Sequence, residues 1–224
     1  MDEYQALDQQ MRECRKCEGI LAKKPVDPIN SDETVKPKAI VTGIRPKPIM
    51  LIGQAPGLKE YETGKPFQGD AGQGIRAVLA DCGVSAARFS ELVYTSAVVK
   101  CFPGSKKIAN RGRPGFRRED EVPSRAMVEN CRPFFERQIA LANPKLLLLL
   151  GSFPLKAYLR LRDRAGEDPR LENFVGRIEE WAHRKVIFLP HTSGTSRWLN
   201  DPANGELFTK AKALLRREIA NVVA

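Results

Sequence analysis

The sequence predicts an α/β fold, a three-layer αβα arrangement around a central, mainly parallel four-stranded sheet. Four short runs, Ile49 to Gly53, Leu92 to Val99, Leu146 to Gly151 and Val186 to Leu189, are almost continuously apolar and are bounded by turn residues. Such runs suit parallel strands buried on both faces, because half-exposed antiparallel strands alternate apolar with polar residues. Helix-like stretches separate or follow them at Ala71 to Asp81, Ser124 to Leu141, Phe153 to Arg162 and Asn204 to Ala220. The resulting β, α, β, α, β, α, β, α order is that of right-handed crossovers, which place helices on both faces of a sheet.

Taken in order, Ile49 to Gly53 leads through a Gly- and Pro-rich loop into the first helical stretch. The run LLLLL at Leu146 to Leu150 is a central buried strand rather than a low-complexity tract. Lys23 to Pro48, rich in proline and lysine, and Phe102 to Pro123, rich in glycine, proline and arginine, carry neither period and are expected to be irregular. Open sheets of this kind bind ligands at the carboxyl ends of their strands, so the loops after Gly53, Val99 and Leu189 are where a site is expected.

The chain has 224 residues, of which 42% are hydrophobic, enough for one compact domain over 1–224. No stretch approaches the roughly 18 apolar residues of a membrane span. The start, MDEYQALDQQ, is acidic and polar rather than signal-like, so a soluble, cytoplasmic protein is expected. The net charge of +10 favours a polyanionic partner, although solvated lysines alone can produce such a balance. Five cysteines in a reducing compartment point to metal or core roles rather than a disulfide framework.

The segment GQAPGLKEYETGKPFQGDAGQGIRAVL, Gly53 to Leu79, lacks the spacing of a Walker loop or a dinucleotide fingerprint. Its ordered set Gly53, Gln54, Ala55, Pro56, Gly57, Thr63, Gly64, Lys65, Pro66, Phe67, Ala71 and Gly72 resembles the first motif of the iron-sulfur, family 4 branch of the uracil-DNA glycosylases. An amino-terminal Cys-x-x-Cys, Val-Val-Lys-Cys at Val98 to Cys101, Cys-Arg-Pro at Cys131 to Pro133 and a late strand ending in His191 follow in the expected order. The resemblance implies DNA containing uracil or another deaminated base as the partner, excision of the flipped base, and the start of base-excision repair. It places Cys14, Cys17, Cys101 and Cys131 as the ligands of a [4Fe-4S] cluster, whereas the four thiols by themselves suit structural zinc equally well. Cys82 lies outside the pattern and reads as a buried free thiol.

Of the two histidines, His183 lies among charged residues and reads as surface, while His191 follows a strand end. Breaking the bond between sugar and base leaves negative charge on the departing base. An N–H of His191 aimed at a base carbonyl would stabilise that anion, a role worth on the order of 3 kcal/mol in related sites. The resemblance also makes Gly53 and Ala55 part of the base pocket and Phe67 its stacking wall. After His191, Ser193 is placed to donate to a phosphate, Arg197 to contact DNA, and Trp198 either to wedge into the base stack or to anchor its loop. Lys106, Lys107, Arg111 and Arg113 belong to a basic insert, read as a phosphate-tracking protrusion or a solvated loop.

Two positions depart from the family pattern. Gln54 stands where an acid often activates water, and glutamine cannot be a general base; Glu60 and Asp70 are nearby substitutes. Ala97 stands where an asparagine reads uracil, leaving Gln54 or Ser96 as other readers. A glycosylase is the leading reading. A protein that grips uracil-containing or abasic DNA with little turnover and a zinc-stabilised nucleic-acid module are the alternatives.

Overall fold

The computed structural model describes residues 1–110, 112–193 and 197–223. At the amino terminus, α1 (Glu3–Glu13) begins in a capping box, with Asp2 accepting from the Gln5 amide and the Gln5 side chain accepting from that of Asp2. The short α2 (Glu18–Leu21) follows. Then come β1 (Ile49–Gly53), α3 (Leu58–Thr63), α4 (Asp70–Asp81), α5 (Ala86–Leu92) and β2 (Val93–Ala97). The second half contains β3 (Ser105–Ala109), β4 (Phe116–Asp120), α6 (Arg125–Ala142), β5 (Leu146–Leu150), α7 (Ser152–Leu161), β6 (Ile178–Trp181), β7 (Arg184–Leu189) and α8 (Pro202–Val223).

The α/β expectation holds, and the central sheet runs β2-β1-β5-β7-β6 with helices flanking it. Its first four strands are parallel, and β1 and β5 are buried at every position, which is what their unbroken apolarity requires. The sheet has five strands, correcting the expected four. The additional strand, β6, is an antiparallel edge strand, IEEW, whose adjacent glutamates, Glu180 exposed and Glu179 half-buried against Tyr158 and Arg164, hide its strand character. A second correction concerns Phe102 to Pro123, which contains the antiparallel hairpin β3-β4 rather than irregular chain throughout. Its strands SKKIA and FRRED are too polar to show a buried face.

Parallel order sets the carboxyl ends of β1, β2, β5 and β7 along one edge. Among the described residues, no helix is long and apolar enough to cross a membrane.

Candidate functional site at the carboxyl edge of the sheet

Past the ends of β1 and β2 the ladder continues. The amides of Val98 and Val99 donate to the carbonyls of Gly53 and Gln54 at 3.0 and 3.1 Å. Gly53 and Ala97 are register partners, so the glycine that opens the loop and the alanine that ends β2 stand side by side. Gln54 and Ala55 are half-buried at this edge. Ser96 is buried instead: its hydroxyl donates to Gln138 Oε1 at 2.9 Å, and Gln138 Nε2 donates to the Tyr94 hydroxyl at 2.7 Å. A serine committed to that network cannot read a base, which removes it as the substitute reader.

The Gly53 to Leu79 loop is held by one carboxylate. Glu60 accepts from the amides of Gly57, Gln68 and Gly69 at 2.9, 2.7 and 2.8 Å. Glu60 therefore organises the loop and is not the substitute water-activating base. Within this frame Phe67 adopts φ 56°, a left-handed conformation that is uncommon for a bulky side chain and concentrates at functional sites. Its ring lies against the end of β1, with Cζ 3.0 Å from where a Cβ on Gly53 would stand.

A Cβ on Gly72 would meet the Phe67 carbonyl oxygen at 2.0 Å, so α4 can begin this close to the loop only with glycine there. Gly72→Ala is accordingly expected to destabilise the protein by about 1–3 kcal/mol through backbone displacement. A urea midpoint equal to that of the parent protein would contradict the packing described.

The next residues of α4 hold the histidine loop. The Thr192 hydroxyl donates to the Ala71 carbonyl at 2.8 Å, and a Cβ on Gly74 would meet the Thr192 carbonyl oxygen at 2.4 Å. The start of α4 is thus a wall shared by Phe67 on one side and the His191 loop on the other. His191 Nδ1 lies 2.8 Å from Ser193 Oγ and accepts from the Ser193 amide at 3.4 Å. This engagement of Nδ1 assigns the proton of the neutral ring to Nε2. The ring keeps accessible surface but sits at the edge of a cleft, and desolvation by the surrounding protein lowers its pKa below the ordinary histidine value, favouring the neutral form.

That cleft, about 450 Å³, is bounded on its other sides by Gly151, Ser152, Lys156, Arg170, Arg197 and Trp198. Gln54, Phe67 and Ala97 are not among its described lining residues; Phe67 is tied to the His191 loop through the start of α4. Ser152, Lys156 and Arg170 line this cleft and are not marked by the sequence motifs. For Ser152 and Lys156 the signal is the end of β5, a fourth carboxyl end beside the three loops considered; Arg170, far along the chain, carries no such signal. Trp198 anchors its loop: Nε1 donates to Glu172 at 2.6 Å and its carbonyl accepts from Asn204 at 2.9 Å. The wedge reading of Trp198 is therefore dropped.

Of the basic candidates, Lys106, Lys107 and Arg113 are exposed on the β3-β4 hairpin or its turn, Arg197 lies in the cleft rim, and Arg111 falls outside the described residues. Lys106 pairs with Glu119 at 3.0 Å, and Lys107 covers the exposed Phe116 ring at 4.3 Å. The hairpin is rooted at the pocket loop, where Asp120 accepts from the Leu58 amide at 3.4 Å.

Cys14 caps α1, Cys17 precedes α2, Cys101 bridges to Ala39 and Cys131 lies inside α6. None of them is joined in a disulfide, nor is Cys82, which is buried elsewhere. Burial, followed by Cys131, pushes the Cys101 thiol up to about 12, with Cys17 and Cys14 adding to the effect. Burial likewise raises Cys131, again with Cys17 and Cys14 contributing. Cys101 and Cys131 thus resist ionisation, and thiolates at these two positions require positive charge nearby, of the kind a metal centre supplies. Amide donors already face them: Lys38 to Cys101, Lys100 to Cys131, and Asn130 Nδ2 to Cys17 Sγ at 3.4 Å. Among the described residues no three Cys, His, Asp or Glu side chains form a group that could hold a metal ion. Four cysteine thiolates are the ligand type an iron-sulfur cluster takes, each bound to a different iron.

The fold and site define an α/β protein with a cationic cleft at the carboxyl edge of a parallel sheet and a strand-end histidine beside it. Residues 42–216 match the family model described as the uracil DNA glycosylase superfamily, and the chain belongs to that superfamily. A type-4 uracil-DNA glycosylase of Pyrobaculum aerophilum is 32% identical over 133 residues, spanning 58% of this chain and 59% of that protein. The type-4 enzyme of Archaeoglobus fulgidus is 28% identical over 192 residues, 84% of this chain and 81% of its own. That of Thermotoga maritima is 26% identical over 174 residues, covering 76% and 79%.

Proposed function

We propose that the protein is a DNA glycosylase that extrudes uracil or another deaminated base and hydrolyses its bond to deoxyribose, beginning base-excision repair. The observation that carries this reading is His191, held at the end of the last parallel strand with Nδ1 engaged by Ser193 and its neutral form favoured. Its Nε2–H is then the donor that meets negative charge as the base departs, strongest in the transition state rather than in the bound substrate.

Gly53, Ala55, Phe67 and Ala97 form the base side of the pocket, with Phe67 as the stacking wall. Gln54 holds the water by hydrogen bonds without taking its proton, so leaving-group stabilisation dominates the chemistry. Ser193 orients His191, and Arg197 in the cleft rim takes DNA phosphates. Cys14, Cys17, Cys101 and Cys131 hold a [4Fe-4S] cluster, which when bound staples together the amino-terminal turn, the chain after β2 and α6. Residues 1–224 act as one domain, and cysteines free of disulfides suit a cytoplasmic location.

The test is an excision panel, in which DNA carrying one uracil, xanthine or hypoxanthine is assayed for released base. Release of at least one supports the reading, and release of none overturns it. A second reading, a protein that binds damaged or abasic DNA with little turnover, is favoured specifically by Gln54 and Ala97. Under it the same panel shows binding without base release.

Lys106, Lys107 and Arg113 are expected to track phosphates without regard to sequence. Reversing all three to glutamate should weaken DNA binding uniformly and flatten its salt dependence by roughly 0.9 in slope for each phosphate that the variant no longer neutralises. Unchanged slope would return the hairpin to a solvated role.

A further inference from the structure

On a two-stranded ribbon, alternate residues of one strand share a face, and so do cross-strand partners. The β3-β4 register therefore gathers Phe116 with Ala109, Lys107 with Arg118, and Ser105 with Asp120 on one face of the hairpin. At the root of that face Asp120 accepts from the Leu58 amide, and a Cβ on Gly57 would meet its Oδ2 at 2.6 Å, so this face packs on the Gly53 to Leu79 loop. Phe116 stands at the other end of β4 on the same face, about 13 Å farther out at the usual rise of a strand. Its cross-strand partner is an alanine, too small to cover an aromatic ring, and Phe116 stays 58% exposed even with Lys107 over its ring. A single apolar residue on a surface is ordinary. What distinguishes this one is its company. The carboxylate on its face, Asp120, is held by Arg118 and the Leu58 amide, while Lys107 has no ion pair among the described residues.

We propose that Phe116 is a stacking platform for an unpaired DNA base outside the base pocket, with Lys107 taking the adjoining phosphate, so that the hairpin grips single-stranded DNA. The inference rests on the reading that DNA is the partner. Single-strand recognition needs an aromatic face on which a base can stack and cations that follow the backbone, and this end of the hairpin presents both. In an intact duplex each base face is covered by its neighbours, so a surface ring gains its stacking energy only where a base is unpaired. The contact of Lys107 with the ring does not prevent this. An exposed cation on an aromatic face is held more weakly than a stacked base, so the lysine moves to a phosphate as the base arrives. Because every base has a π-face, the platform accepts any sequence. Its anchorage through Asp120 on Gly57 and Leu58 ties its position to the loop that carries Phe67.

The test measures binding of the full-length protein to a uracil-free oligothymidylate and to a uracil-free duplex of equal length, by fluorescence anisotropy across a salt series. Phe116→Ala should bind the single strand roughly tenfold more weakly, the scale of one lost base-aromatic stack. Its salt slope should be unchanged, because no phosphate contact is removed, and its duplex affinity should stay near the parent's. Phe116→Leu, which keeps apolar area without a π-face, should lose as much. Phe116→Trp should bind like the parent and acquire indole fluorescence that the single strand quenches, beyond any quenching of Trp181 and Trp198. A parent that does not bind the single strand, a Phe116→Ala protein that binds it as the parent does, or equal losses on single strand and duplex overturn the proposal. Base release in the excision panel reports separately on the glycosylase reading. Release by a parent whose binding ignores Phe116 keeps the enzyme and removes the platform. Single-strand binding through Phe116 without base release keeps the platform and removes the enzyme.

Discussion

His191→Ala is expected to lower base excision by about 10²–10³-fold, the loss seen when a single anion-stabilising donor is removed, while duplex binding stays nearly unchanged. The separation follows from when the hydrogen bond matters. Before the glycosidic bond lengthens, the base carbonyl is neutral and Nε2–H contributes little more than water would. As the base becomes anionic, the bond becomes charge-assisted and strengthens. Truncation also leaves the cleft intact, because the loop is held by Thr192 on Ala71 and against Gly74 rather than by the imidazole. Rates from single-turnover assays and affinities from titrations on the same DNA check this. Full excision by a folded His191→Ala protein would remove the residue from the chemistry.

Ala97→Asn should produce the second large effect, a gain in preference for uracil over xanthine and hypoxanthine of roughly a hundredfold, short of the 10⁴–10⁵ of sites built around such a bond. Ala97 ends β2 beside Gly53, and alanine presents no group that a wrong base leaves unpaired. An amide there imposes a cost on each base that fails to match it. With Ser96 buried in its own network, Gln54 is the remaining polar candidate from the sequence for reading the base. Strong uracil selectivity in the parent, unimproved or worsened by Ala97→Asn, would assign the reading to Gln54 and contradict this account of the pocket.

The parts of the molecule that are legible in the sequence are those whose surroundings are uniform. Leu146 to Leu150 reads as a central strand because it is buried on both faces, and the order of elements follows from runs of that kind. Edge strands escape for the converse reason. Glu180 in β6, and the lysines and arginines of β3 and β4, sit where one face meets water, so their sequence resembles loop. At the site, residue types are legible but allegiances are not. Glu60 reads as a spare base in sequence, yet three amides occupy it, and Trp198 reads as a wedge, yet Glu172 holds its indole. Lys100 stands inside the Val-Val-Lys-Cys motif with nothing local to distinguish a buried lysine from an exposed one. The capping box of Asp2 and Gln5 is a sequence signal for α1, but the helix lies outside the alternating pattern that reveals the other elements.

The most direct test of a histidine-assisted glycosylase is single-turnover base release with protein in excess over DNA containing one uracil. Free uracil and abasic sites should appear together, in equal amounts, at a rate that His191→Ala lowers. Saturated binding with neither product formed would contradict the account and leave a protein that grips damaged DNA without cleaving it.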